Sequence, residues 1–123
     1  MPREYRFKAE SGEGKLAERY ISKLLNSSKA RKVLDERYHQ SSSGCDIYKA
    51  FNIFEVKNEF VLIIYDVTTD SPDPINKNRE IRSQERTYTI IGEQKGSNLA
   101  KRVHSSLNSI MGGLDGVLQA LES

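Results

Sequence analysis

Asp46, Glu55 and Lys57 are the residues whose types and spacing could do chemistry in this chain. Asp46 follows Gly44-Cys45, and Glu55-Val56-Lys57 closes a short apolar run. Two carboxylates that converge supply the oxygen ligands a hard cation such as Mg²⁺ prefers. The bound metal polarises a phosphodiester and generates the attacking hydroxide. A nearby lysine then stabilises the charge that builds on the phosphate. A hairpin over residues 46–57, turning at Ala50-Phe51, sets Asp46 opposite Glu55 and keeps Lys57 on the face of Glu55, because side chains alternate along a strand. Glu13 or Glu18, on a helix upstream, would complete such a site.

These residues have to be positioned by the elements around them. Leu16, Ala17, Tyr20, Ile21, Leu24 and Leu25 recur at the spacing of one helix face, which predicts a helix from Lys15 to about Leu25. The polar residues 1–14 before it read as a flexible arm, leaving 15–123 as a single domain. Val33–His39 and Ile47–Val56 are strand candidates, separated by the turn signal Ser41-Ser42-Ser43-Gly44. Val61-Leu62-Ile63-Ile64-Tyr65 is apolar on both faces and predicts a central strand. Thr68–Asn78, with Pro72 and Pro74, reads as a loop, and Arg79–Ile91 as a charged edge strand.

Val103, Leu107, Ile110, Leu114, Val117 and Leu121 follow heptad spacing and predict a long C-terminal helix. Gly112, Gly113 and Gly116 either break that helix or let another backbone come close. The apolar seam either packs on the chain's own sheet or forms a homodimer interface. The expected fold class is α+β: an N-terminal helix, an antiparallel sheet of three to four strands, and a long C-terminal helix on one face. That layout is similar to small RNA-binding domains in topology alone.

Ala17-Glu18-Arg19 on a helix, then Gly44-Cys45-Asp46-Ile47 and Phe54-Glu55-Val56-Lys57, resemble the restriction-endonuclease-like nuclease superfamily over roughly residues 12–60. The resemblance implies Mg²⁺-dependent phosphodiester cleavage, with Asp46 and Glu55 as metal ligands, Lys57 as the catalytic lysine and Glu18 as an accessory acid. In that family a crossover helix follows the Glu-x-Lys strand. Here Asn58 and Glu59 alone separate Lys57 from Phe60, which is hairpin spacing. The competing reading is a β-meander in which Glu55 and Lys57 alternate with Phe54 and Val56 as a polar strand face.

Charge and cysteine content bound the remaining classes. The net charge is +2, mildly basic, so nucleic acid is permitted as a partner without being demanded. Lys77, Arg79, Arg82 and Arg86 form one candidate phosphate-contacting cluster; Lys101 and Arg102 begin another, and Lys29, Arg31, Lys32 and Arg37 a third. Two clusters that adjoin in space would make a binding surface. The single Cys45 excludes an intrachain disulfide and a multi-cysteine zinc site. His39 and His104 have no ligand-spaced neighbours. No apolar run reaches the ~18 residues a membrane helix needs. The expectation is an intracellular protein, cytoplasmic or nuclear, with no cofactor outside the Mg²⁺ of the nuclease reading. Its expected role is a non-catalytic binding or assembly module for nucleic acid or protein, with metal-dependent cleavage as the alternative.

Overall fold

A computed structural model describes residues 4–57, 59–76, 78–92, 96–106 and 111–122. The chain begins with strand β1 (Glu4–Lys8) and helix α1 (Gly12–Leu25). Four long strands follow: β2 (Ala30–Ser42), β3 (Cys45–Val56), β4 (Phe60–Pro72) and β5 (Glu80–Ile91). Among the described residues two short helices follow, α2 (Gly96–Ser105) and α3 (Leu114–Glu122). All strands join one antiparallel sheet in the order β1-β5-β4-β3-β2.

The central strand is as the apolar run predicts. Val61, Leu62, Ile63 and Ile64 of β4 are all buried. Alternation sends Val61 and Ile63 to one face, beside Phe51 and Ile53 of β3 and Leu34 of β2. Leu99, Ala100 and Val103 of α2, with Leu114 and Val117 of α3, close that core. Leu62 and Ile64 point to the other face, beside Tyr88 of β5 and Phe7 of β1, under Ile21 of α1. The sheet is therefore sandwiched, α1 on one side and α2 with α3 on the other.

Three parts of the expected fold class are corrected. The first helix follows a strand: Tyr5 and Phe7 alternate with charged residues, and Glu4–Lys8 pairs with Thr87–Ile91 of β5 inside the segment read as an arm. The sheet has five strands because β1 adds to its edge, and β4 runs on to Pro72 through residues read as loop. No long C-terminal helix forms. Gly113 adopts φ +96°, in the left-handed region, and α3 starts immediately after it.

Local chemistry explains the joints. Ser43 and Gly44 both have positive φ, the signature of a two-residue hairpin turn between β2 and β3. The Ser11 hydroxyl caps α1 by accepting from the Gly14 N–H at 2.9 Å. Gly14 itself lies against the backbone of Lys8 and Ala9; a Cβ there would stand 2.8 Å from the Ala9 backbone and closer still to the Lys8 carbonyl. This contact sets the rotation of α1. Ile21 and Leu24 turn inward with Gly14, whereas Leu16 and Tyr20 face solvent, although the helical spacing grouped them with the core.

Gly14→Ala should therefore cost about 1–3 kcal/mol through overpacking, read as a lower urea midpoint. Gly12→Ala, whose new Cβ meets nothing within 4 Å, should be neutral or stabilising by up to ~1 kcal/mol. Equal responses at the two positions would show that Gly14 does not seat the helix.

Candidate functional surfaces

β3 is one continuous strand from Cys45 to Val56, and its register with β4 is unbroken. Ala50 and Phe51 lie within it, so the expected turn there does not exist; Phe51 is fully buried. Asp46 and Glu55 are nine positions apart along this strand, about 30 Å at ~3.3 Å per residue. The odd spacing also puts them on opposite faces of the sheet. Lys57 follows the end of the strand, its N–H bonded to the Lys29 carbonyl. Glu18 sits over the α1 side and accepts a long 3.5 Å bond from the Tyr88 hydroxyl. Tyr88 is level with Asn52, six positions along the sheet from the level of Asp46. The structure does not bring Asp46, Glu55, Lys57 and Glu18 together. Among the described residues no group of three or more His, Cys, Asp or Glu side chains is arranged to hold a metal ion.

Asp46 belongs instead to a ladder of charged side chains. α1 covers only one half of its face of the sheet. The uncovered half presents polar rows that run across the strands. One row carries Ser41, Asp46, Asp70 and Arg82; another carries Arg37, Ala50, Asp66 and Arg86. Asp46 lies directly opposite Asp70, a like-charge pair that destabilises unless each member is compensated. Arg82 compensates Asp70 at two points, Nε to Oδ1 at 2.7 Å and Nη2 to Oδ2 at 3.0 Å. Ser41 Oγ donates to Asp46 Oδ1 at 2.6 Å, and His39 Nε2 lies 3.0 Å from the same oxygen. His39 in turn stacks on Tyr48, ring centroids 4.6 Å apart. Arg86 repeats the two-point grip on Asp66, at 2.6 and 3.0 Å.

These contacts move proton affinities in the expected directions. The Arg82 hydrogen bonds hold the Asp70 carboxyl below its ordinary value, against partial burial and the opposing Asp46. The Ser41 and His39 contacts do the same for Asp46. The guanidinium groups of Arg82 and Arg86 are pushed up by their carboxylate partners. An arginine already bound at two points to a carboxylate has little to offer a phosphate. Between these rows and α1 lies an open recess of about 780 Å³, lined by acids and bases alike, including Glu18, Arg37, His39, Asp66 and Arg86.

A second recess, of about 360 Å³, is different in character. α2 packs beside the edge strand β2 and brings Lys101 and His104 next to Arg31, over a floor of Val33 and Ala100; Lys32 also lines the recess, but its ammonium lies over the Phe54 ring, 5.6 Å from the centroid, on the α1 side of the sheet. The cluster that begins at Lys101 and the one around Arg31 thus adjoin in space. The ion pairs here are longer: Arg31 to Glu55 at 3.3 Å, Lys32 to Asp35 at 3.6 Å and His104 to Glu36 at 3.3 Å. Lys29 and Lys57 stand at the same end of the sheet. Arg79 and Arg102 are exposed on β5's approach and on α2. Lys77 lies outside the described residues.

The described members of the apolar seam point inward. Val103, Leu114 and Val117 are buried against β3 and β4 of their own chain. Leu107 and Ile110 lie outside the described residues, as does the side chain of Leu121. Among the described residues no helix is long and apolar enough to cross a membrane.

Sequence reasoning passed over Asp66 and Asp70. Their signal is spacing: they stand four apart, as do Arg82 and Arg86, so a hairpin turning at Asn76 pairs both at once. No protein-family model matches this chain, and comparison with curated proteins and with solved structures gave no match.

Because the Asp46 and Asp70 pKa values are lower folded than unfolded, their stabilisation is present above the ordinary carboxylate range and is lost as pH falls through the depressed folded values. Thermal stability should thus decline on acidification below about pH 4. Arg82→Gln, which leaves Asp70 facing Asp46, should lower stability at pH 7 and flatten the acid dependence. A variant with an unchanged pH profile would show that the pair does not hold Asp70 ionised.

Proposed function

We propose that this protein is a non-catalytic module that binds the phosphate backbone of a nucleic acid at the recess between β2 and α2. The convergence of Arg31, Lys101 and His104 on that recess supports the reading. Partly exposed ion pairs such as His104 with Glu36 contribute only ~0–1 kcal/mol, so a phosphate competes with such a carboxylate at little cost. Side chains on the far ladder are already committed, Arg82 to Asp70 and Arg86 to Asp66. Counterion release on neutralising phosphates drives such binding.

Lining residues of this recess are cationic or small and aliphatic, and none is a stacking aromatic apart from His104. Contacts of this kind position a backbone and carry no base sequence. Metal-dependent cleavage has no comparable gathering of groups behind it, since Asp46 and Glu55 occupy opposite faces of β3.

Binding of a labelled duplex of about 20 base pairs should weaken linearly in log–log form with salt, with a slope near −2 to −3 for about three neutralised phosphates. Arg31→Glu combined with Lys101→Glu should reduce affinity at least ~10-fold, equivalent to ~1.4 kcal/mol; Arg79→Glu should change it little. A flat salt response, or equal losses from both variants, rejects the reading. Added Mg²⁺ should leave the duplex intact; cleavage that disappears in Asp46→Ala would favour the nuclease alternative.

A further inference from the structure

Two rings on the uncovered half of the α1 side are stacked, and the stack has an open end. His39 of β2 and Tyr48 of β3 are cross-strand partners, with ring centroids 4.6 Å apart and planes 7° from parallel. That separation is too short for rings lying side by side on the sheet, so they stand face to face. The second face of Tyr48 therefore points along the same row, toward Thr68 of β4 and Gln84 of β5. Thr68 is too short to cover a ring, and Tyr48 remains 42% exposed. All four residues line the open recess beside α1.

The sheet itself sets the size of the gap. Neighbouring strands lie ~4.8 Å apart, a spacing at which offset rings stack. A flat ring seated above Thr68 extends the His39–Tyr48 stack by one step, with Gln84 another ~4.8 Å beyond it. The polar groups around the gap define what that ring must carry. Among the described residues no hydrogen bond engages the Thr68 hydroxyl or the Gln84 carboxamide. Asp66, two residues from Thr68 on the same face of β4, is gripped by Arg86 and keeps lone pairs for an N–H donor. An aliphatic ring would leave the hydroxyl and the amide unpaired. An anion in the gap would meet the carboxylates of Asp66 and Glu18. A neutral planar heterocycle with N–H donors and ring acceptors satisfies all of these groups, which is the chemistry of a nucleobase with an exocyclic amine.

We infer that the gap above Thr68 takes one unpaired, amine-bearing nucleobase, stacked on Tyr48, with Asp66 accepting from the amine and Gln84 closing over the other face. Arg37, whose side chain is 81% exposed and whose ion pair with Asp35 spans 3.8 Å, stands on the β2 side of the same recess, where an attached phosphate would lie. A base inside a duplex has both faces and its pairing edge occupied, so the gap selects single strands. The site lies on the face of the sheet opposite to the β2–α2 recess and uses none of its residues. It rests on the nucleic-acid reading only for the strand that supplies the base.

Fluorescence anisotropy of a labelled single-stranded oligodeoxycytidylate of about eight nucleotides reads the site. Tyr48→Leu keeps apolar bulk but removes the aromatic face, and should weaken binding roughly 10-fold, within the range of base–aromatic stacking. Tyr48→Phe, which keeps the face, should bind as the unaltered protein does. Tyr20→Leu, at a tyrosine 56% exposed on α1, should change nothing. A comparison of bases needs no variant: oligothymidylate, with a carbonyl in place of the cytosine amine, should bind several-fold more weakly. In the Arg31→Glu, Lys101→Glu protein the loss caused by Tyr48→Leu should persist, whatever becomes of duplex binding. Free cytidine, followed by saturation-transfer NMR, distinguishes the sources. A signal that vanishes in Tyr48→Leu assigns the gap to a lone nucleoside, and a loss confined to the oligonucleotide assigns it to a strand. No binding of the oligodeoxycytidylate, equal affinities in folded Tyr48→Leu and Tyr20→Leu, or oligothymidylate bound as tightly would each overturn the inference.

Discussion

Everything in this molecule depends on β4 being apolar on both faces. Val61 and Ile63 supply one core, Leu62 and Ile64 the other, and each core needs its own helical cover. A strand of that kind cannot sit at an edge or leave one face to water. It requires a neighbour on each side, which β3 and β5 provide, and a layer above and below. The three-layer arrangement is thus the consequence of four consecutive residues. Phe51, stacked on Tyr65 at 4.6 Å and edge-on to Tyr38, extends the same core toward the uncovered half of the sheet.

Length then decides where polarity is tolerated. A strand rises ~3.3 Å per residue and a helix 1.5 Å. The 13 residues of β4 span about 43 Å, whereas the 14 residues of α1 span about 21 Å, and α2 and α3 are shorter still. The helices can cover only half of each face. Beyond their reach β4 changes from Val61–Ile64 to Asp66, Thr68, Thr69 and Asp70, and β5 from Tyr88–Ile91 to Arg82–Arg86. Packing no longer sets the register out there. Paired charges take over that role, one arginine per aspartate, each with the two-point geometry that makes such a pair directional.

What could be read in advance follows the same division. The β4 core and the Ser43-Gly44 turn were legible because each is a local pattern with a single geometric solution. The inward stripe of the C-terminal seam was legible at Val103, Leu114 and Val117, but its continuity was not. Heptad spacing survives a break when the two pieces pack on one sheet, and only the φ of Gly113 reveals the interruption. The face of α1 was half legible. Periodicity cannot choose between Leu16 with Tyr20 and Ile21 with Leu24, because the choice is made by the close approach of Gly14 to Lys8–Ala9. Asp46 and Glu55 misled for a related reason. A motif read along the chain assumes a turn between its parts, whereas Ala50 and Phe51 have strand character and Phe51 fills the core.

The two edges of the sheet have been resolved in opposite ways. At β2 the register slips once, between Lys32 and Leu34, and runs unbroken from Leu34 to Ser42, while α2 brings Lys101 and His104 alongside Arg31. At the open half of β5 the cations are locked to Asp66 and Asp70, so the backbone is available while the charge is spent on register. The aspartates on β4 therefore do more than support the hairpin: they hold the β5 arginines at two points each and leave little of that charge for an incoming anion.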